Sequence, residues 1–176
     1  MSGSTNQIIF TDGACENNGK PEALAGCGVY FGPGDPMNFS CPLPGEKQTN
    51  NRAELYALIL AINFSSMDEK VVIYSDSEYC VKGITKWMRG WKRRDWKNSK
   101  GQPIKNLDLW KDIDGLINKR NGNLTFEWVK AHDGLPGNEA ADQLAVAAIQ
   151  DQRAKRKRAA PEKNNKKRKK KKNKKK

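Results

Sequence analysis

The chain of 176 residues carries 33 Lys and Arg against 20 Asp and Glu, a formal charge of +13. The excess is confined to one end: residues 151–176 hold 16 basic and 2 acidic side chains, whereas residues 1–150 hold 17 and 18. A near-neutral body of that size is one ordinary domain with its own core. The longest apolar run, residues 55–62, falls far short of the roughly 18–20 residues that span a bilayer. The opening MSGSTNQ has no basic segment followed by an apolar one, so a soluble intracellular protein with no signal peptide and no membrane segment is expected.

Taken in chain order, QIIFTD at 7–12 is an apolar run stopped by Gly13, read as a buried strand and a turn. GCGVYF at 26–31 is a second strand, broken by GPGDP, and a weaker third runs through 37–41 before CPLPG. NRAELYALILAINF at 51–64 is apolar nearly all round, as suits a helix covered on more than one side. VVIYSD at 71–76 is β-branched and reads as a central strand. Helix signals dominate 77–96, punctuated by Gly83 and Gly90, and a further helix covers 107–119 up to the Asn121-Gly122 turn. LTFEWVK at 124–130 alternates as a half-buried strand, and 137–150 places Ala140, Ala141, Leu144, Ala145 and Ala148 on one helical face. Three strands, helix, strand, helices, strand, helix describe an α/β or α+β domain with a mixed sheet. A single folded domain over 1–150 is therefore expected, its last helix fraying on for a turn or two beyond Gln150, followed by a low-complexity cationic tail over 151–176 that is disordered when free. The scattered Cys15, Cys27, Cys41 and Cys80 form no C-x-x-C, and His132 is the sole histidine, so small buried thiols are expected in place of a zinc site or disulfide scaffold.

Two strand ends share a short theme, Thr11-Asp12-Gly13 and Ser75-Asp76-Ser77. Either Asp alone is an ordinary cap for a turn; two on neighbouring strands suggest a site, because open sheets bind ligands beyond the carboxyl ends of their strands. Glu54 interrupts an apolar face near a helix start, where it is either a dipole partner or a metal ligand. Asp142 stands similarly among Ala140, Ala141 and Leu144. Converging carboxylates without matching cations repel and raise one another's pKa, and a hard divalent cation resolves the conflict.

TDGAC with Asp12, QTNNRAEL with Glu54, YSDS with Asp76 and KAHDGLPGNEAAD with His132 and Asp142 together resemble ribonuclease H of type 1. The similarity runs through GVYFGPGDP and GITKWMRGWKRRDWK to about Gln150, and 28–38 resembles the eukaryotic branch. The resemblance implies a ribonuclease H-like fold: a five-stranded mixed sheet, three antiparallel strands and then parallel ones, with helices on both faces. It implies an endonuclease that hydrolyses the RNA strand of RNA–DNA hybrids and leaves 5′-phosphate and 3′-hydroxyl ends. Asp12, Glu54, Asp76 and Asp142 would hold two Mg²⁺ ions, for which Mn²⁺ can substitute; such a pair activates the attacking water and stabilises the leaving oxygen. His132, in the loop before Gly137, would assist proton transfer or product release, work to which an imidazole is suited.

The RNA strand is distinguished by its 2′-hydroxyl. Asparagines such as Asn17, Asn18, Asn50 and Asn51 make turns and caps in most proteins. By resemblance Asn18, Asn50 and Asn51 look like minor-groove and sugar contacts, Asn17, Asn18 and Asn51 lie on the RNA side with Cys15, and Glu78 faces the same strand as an acid where relatives are often neutral. Residues 82–105 hold 9 Lys and Arg and one acid, interleaved with Trp87, Trp91 and Trp96. They read either as an amphipathic helix with solvated lysines or as a phosphate-tracking surface. The resemblance favours the second: Tyr79, Trp87 and Ser99 match a DNA channel, and Lys47, Thr49, Asn50 and Asn106 match the DNA-strand side, with Lys47, Thr49 and Asn106 around a phosphate pocket. Lys47 stands where relatives often carry Arg, and Ala131 where Gly is frequent.

A catalytically silent hybrid-binding protein and a domain detached from a reverse transcriptase remain as other readings. An integrase or transposase fits less well, lacking QTNNRAEL and GITKW together. The tail is a solvated terminus, a nuclear or nucleolar address through KRKR and KKRKKKK, or an electrostatic anchor on nucleic acid. Expected partners are thus an RNA–DNA hybrid and nucleic acid along the tail, with the protein acting as a monomer.

Overall fold

A computed structural model describes residues 6–120 and 123–159. Five strands, β1 (Gln7–Glu16), β2 (Leu24–Tyr30), β3 (Phe39–Pro42), β4 (Val71–Ser75) and β5 (Leu124–Trp128), form one sheet in the order β3-β2-β1-β4-β5. β1, β2 and β3 are antiparallel neighbours, whereas β4 and β5 join β1 in parallel. Parallel neighbours require crossovers, which α1 (Asn50–Phe64) and the helical segment between β4 and β5 supply. That segment comprises α2 (Glu78–Lys82), a π-helical turn over Gly83–Trp87, α3 (Met88–Arg93) and α4 (Leu107–Asn118). The last helix, α5 (Pro136–Ala159), closes the described chain.

Helices cover both faces, and glycines in the strands show how closely they approach. A Cβ on Gly13 would lie 2.2 Å from the Glu54 amide nitrogen of α1. On the opposite face a Cβ on Gly28 would lie 2.0 Å from the Ala141 carbonyl of α5, and one on Gly26 2.2 Å from that of Ala145. The helices thus lie directly against the sheet, which their own small residues also require: Ala53, Ala57 and Ala61 of α1 and Ala141 and Ala145 of α5 are fully buried. Ile9, Val71 and Ile73 fill the sheet side of the core, with Leu55, Leu58 and Ile62 from α1 and Trp110 and Ile113 from α4.

Several element boundaries differ from those expected. β1 does not stop at Asp12; it runs on to Glu16, paired with β2 from Phe10↔Tyr30 to Glu16↔Leu24. Gly13 is therefore a point of close packing inside a strand and not a turn. The predicted helix over 77–96 is broken by the π-helical turn and ends at Arg93. Asp95 and Trp96 both take positive φ there, 51° and 58°, which ends helical propagation. α5 continues nine residues past the expected boundary at Gln150. Gln152 donates from Nε2 to the Ala25 carbonyl (2.8 Å), and Arg153 pairs with Glu16, tying the first turn of the supposed tail to the sheet. The rest of that predicted tail, 160–176, lies outside the described residues, as does the Asn121-Gly122 turn.

All four cysteines are free thiols, Cys27 and Cys80 buried and Cys15 and Cys41 half-buried. Among the described residues no helix is long and apolar enough to cross a membrane.

Candidate active site

The parallel register places the first two carboxylates. Thr11 is the partner of Ser75, the last residue of β4, so Asp12 and Asp76 stand level where β4 leaves the sheet. β4 then turns into α2 through Ser77, whose side chain accepts from the Cys80 amide. β1 continues alone on that side, and the gap opens the cleft. Gly13 lets α1 close in and carries Glu54 to the same point; Gly28, the β2 partner of Asp12, lets α5 close in with Asp142.

Asp12, Glu54 and Asp76 each offer an oxygen within 4.8 Å of the others. Asp142 is not in that tight set but lines the same cleft of about 510 Å³, together with Cys15, Asn50, Ser77, Glu78, Tyr79 and His132. Among the described residues none of the four carboxylates has a Lys or Arg partner. The consequence is electrostatic. Burial, then Asp76 and Asp142, push the Asp12 carboxyl up to about 8 against one opposing bond from the Gly13 amide (2.7 Å). Burial, followed by Asp12 and Asp76, holds Glu54 well above the usual carboxylate range. Glu54 Oε1 accepts from Asn50 Nδ2 at 3.4 Å, but Oε2 is buried with no hydrogen-bond partner. Such an orphaned carboxylate oxygen, among others equally short of donors, fits a hard divalent cation.

Asp76 is held from two sides that sequence reasoning missed. Buried Asn138 donates from Nδ2 to Asp76 Oδ2 (3.0 Å), and the Trp128 indole donates to the Asp76 carbonyl (3.0 Å). Asn138 lies one helical turn before Asp142, so the i, i+4 spacing was a signal that both face the strand ends.

The expected substrate contacts fall into two groups. Cys15, Asn50, Glu78, Tyr79 and His132 line the cleft, with His132 exposed at φ 53°. Asn18 Oδ1 accepts from the Asn50 amide (3.4 Å), which joins the turn after β1 to the start of α1; Asn17, at φ 52°, begins that turn, and Asn51 is exposed in the first turn of α1. Glu78 is paired with Lys82 at 2.8 Å, so it is not an isolated acid. Lys47, Thr49, Trp87, Ser99 and Asn106 do not line the cleft. Thr49 caps α1, its side chain accepting from the Arg52 amide. Asn106 and Trp87 gather around Tyr79: Asn106 Nδ2 and Trp110 Nε1 lie 3.5 and 3.0 Å from its hydroxyl, and the Trp87 ring centroid 6.3 Å from its ring. Ser99 and Lys47 are exposed on separate loops.

This sheet, with carboxylates converging from two parallel strands and two helices, defines an α/β fold with an acidic cleft whose chemistry suits a hard divalent cation. Residues 4–150 match the family model for RNase H, and the chain belongs to that family. It is 50% identical over 142 residues to a ribonuclease H of Schizosaccharomyces pombe, covering 81% of this chain and 52% of the relative. A ribonuclease H of Alcanivorax borkumensis is 41% identical over 155 residues, covering 88% and 98%. The chain thus spans about half the length of the fission-yeast relative and nearly all of the bacterial one. Among solved structures, a type 1 RNase H with the type 2 active-site motif superposes with a TM-score of 0.67 at 31% identity, covering 85% of this chain and 74% of that one. The RNase H domain of the foamy virus PFV gives 0.68 at 25%, covering 82% and 94%.

Proposed function

We propose that the chain is an endonuclease that cleaves the RNA strand of RNA–DNA hybrids to 5′-phosphate and 3′-hydroxyl ends. Asp12, Glu54, Asp76 and Asp142 would hold two Mg²⁺ ions, which supply an activated water and charge neutralisation at the scissile phosphate. The observation that carries this is the set of three carboxylates, Asp12 and Glu54 buried and Asp76 half-buried, with Glu54 Oε2 unpartnered and no Lys or Arg paired with any of them among the described residues. Relatives named ribonuclease H and one foamy-virus neighbour solved with an RNA/DNA hybrid support the substrate class. Asn138 and Trp128 hold the Asp76 backbone and carboxylate in place. His132, exposed at the cleft rim, moves a proton at the leaving oxygen or helps release product. Cys15, Asn17, Asn18 and Asn51 read the RNA sugars, with Glu78 alongside. Lys47, Thr49, Asn50, Tyr79, Trp87, Ser99 and Asn106 grip the DNA strand, aided by the basic stretch at 82–105. The basic clusters at the end of the chain support a nuclear address, and the protein acts as a monomer.

End-labelled RNA–DNA hybrid, double-stranded RNA and single-stranded RNA, each with and without Mg²⁺, provide the test. Only the hybrid with Mg²⁺ should yield internal RNA cuts, and Asp12→Asn should abolish them while sparing hybrid binding. Metal-dependent cutting retained by Asp12→Asn, or equal cutting of single-stranded RNA, would overturn the reading.

A further inference from the structure

The end of α5 carries charge that the cleft does not use. Its final turns contain Lys155, Arg156, Lys157 and Arg158, all exposed, and they make no ion pair among the described residues. A basic last turn is favourable to the helix itself, since it meets the negative end of the macrodipole. Two contacts, however, give this charge a fixed position. Gln152 Nε2 donates to the carbonyls of Ala25 (2.8 Å) and Ala148 (3.3 Å), and Arg153 pairs with Glu16. Glu16 is the last residue of β1, the strand that begins the cleft at Asp12 and lines it through Cys15. After it comes the turn Asn17–Lys20, closed by the Lys20 amide on the Asn17 carbonyl at 2.9 Å.

Helix geometry then assigns faces. At about 100° per residue, positions three and four beyond Arg153 return to its side, whereas positions two and five fall on the far side. Arg156 and Lys157 therefore continue the face that Arg153 turns toward Glu16, while Lys155 and Arg158 look away. Exposed Lys20 lies in the turn that follows Glu16.

We propose that Arg156, Lys157 and Lys20 form a second phosphate-binding patch, which holds the duplex flank of a hybrid whose scissile phosphate sits in the carboxylate cleft. The proposal rests on the nuclease reading and extends it. Its occupant follows from charge complementarity and from continuity: β1 leads from Asp12 to Glu16, and four residues of strand span about 13 Å. At about 3.4 Å per nucleotide along a strand, the patch meets the backbone roughly four to six nucleotides from the cut. A short hybrid would fill the cleft without reaching it.

Binding is measured with the full chain carrying Asp12→Asn, so that the hybrids stay intact, on hybrids with about 4 or about 10 base pairs either side of the cut. The longer arms should bind more tightly. Adding Arg156→Gln and Lys157→Gln should remove most of that gain and leave short-arm affinity unchanged. Losing two phosphate contacts should also cut the ratio of Kd at 200 mM to Kd at 50 mM salt by about tenfold. Lys155→Gln with Arg158→Gln, the same charge loss on the other face, should keep the gain. Retention of the full gain by the first pair, or an equal loss from the second, overturns the patch. Cleavage of both hybrids by the chain with Asp12 intact is scored separately: failure there sinks the nuclease reading, whereas cleavage with no arm effect sinks the patch alone.

Discussion

A carboxylate that must bind metal has to be aimed, and at Asp76 the aiming is done by Asn138 through its 3.0 Å bond to Oδ2. Partners of this kind typically contribute 10–100-fold to metal affinity or activity. Asn138→Ala should therefore lower kcat by about that factor and raise the Mg²⁺ concentration needed for half-maximal rate, while hybrid KM changes little. Titrating activity against Mg²⁺ checks this; a pure rise in KM would assign Asn138 to substrate. The neighbouring Asp12 makes folding depend on pH. Its folded pKa of about 8 lies above that of an unfolded aspartate. Below both values the proton is bound in either state. As pH rises between them the unfolded chain ionises first and is favoured, so metal-free stability falls from about pH 4 to about pH 8. Glu54, also raised, acts in the same direction. Asp12→Asn should stabilise the metal-free protein by on the order of 2 kcal/mol at pH 8 and by little at pH 4. Added Mg²⁺ should raise Tm of the native protein more at pH 8 than at pH 5, because it binds the ionised carboxylates. Melting curves across that range test both. The carboxylates stood out in the sequence, Asp12 and Asp76 in a shared theme at two strand ends and Glu54 and Asp142 among apolar helix positions. Asn138 did not, since an Asn at a helix start looks like surface until α5 is seen seated on the strand ends.

At the scale of elements, glycines decide how far the helices descend. Gly13 looks in the sequence like the end of a strand, because its packing partner, the backbone of Ala53 and Glu54, is some forty positions away. Local pattern cannot show a contact between β1 and α1. In the structure Gly13 sits within β1, and α1 rests on it. Gly13→Ala should cost about 3 kcal/mol, since backbone is what a Cβ would strike, and it should lift Glu54 away from Asp12, with a loss of activity beyond the loss of stability. Gly115, inside α4 with nothing within 4 Å of its would-be Cβ, is the control. Gly115→Ala should stabilise by up to about 1 kcal/mol without changing kcat. The π-helical turn was equally hidden. Gly83 starts it where a Cβ would lie 2.1 Å from the Trp110 ring, so the punctuation read at Gly83 marks a seat for a buried indole and not a helix end.

Over the whole molecule, charge was the first thing visible in the sequence and the feature whose boundary moved most. Composition changes at Asp151, which suggested a helix that only frays on for a turn or two beyond Gln150. The helix follows hydrogen bonding and packing instead, and runs to Ala159 because Gln152 and Arg153 still find partners on β2 and β1. Gln152 is a second donor to the Ala25 carbonyl beside the Leu43 amide, and the Ala25 amide donates to Gln48 Oε1 at 2.9 Å, so the end of α5 and the loop before α1 meet at one point on β2. Ending the chain after Gln150 would therefore remove more than charge. It would strip the side-chain donor from the Ala25 carbonyl, release Glu16, and bring the helix C-terminus back to its last packed residues, Ala148 and Ile149. A lost hydrogen bond and an exposed ion pair are together worth about 1–2 kcal/mol, equivalent to about 2–8 °C in Tm for a domain of this size. The sign separates two views of the segment. A merely cationic appendage would repel itself, and its removal would leave Tm unchanged or raise it. A segment that finishes the fold should lower Tm when removed, and Gln152→Ala with Arg153→Ala in the full chain should reproduce most of the drop while retaining nearly all of the basic residues. Thermal unfolding at two salt concentrations distinguishes them, because the packing loss persists in high salt whereas self-repulsion is screened.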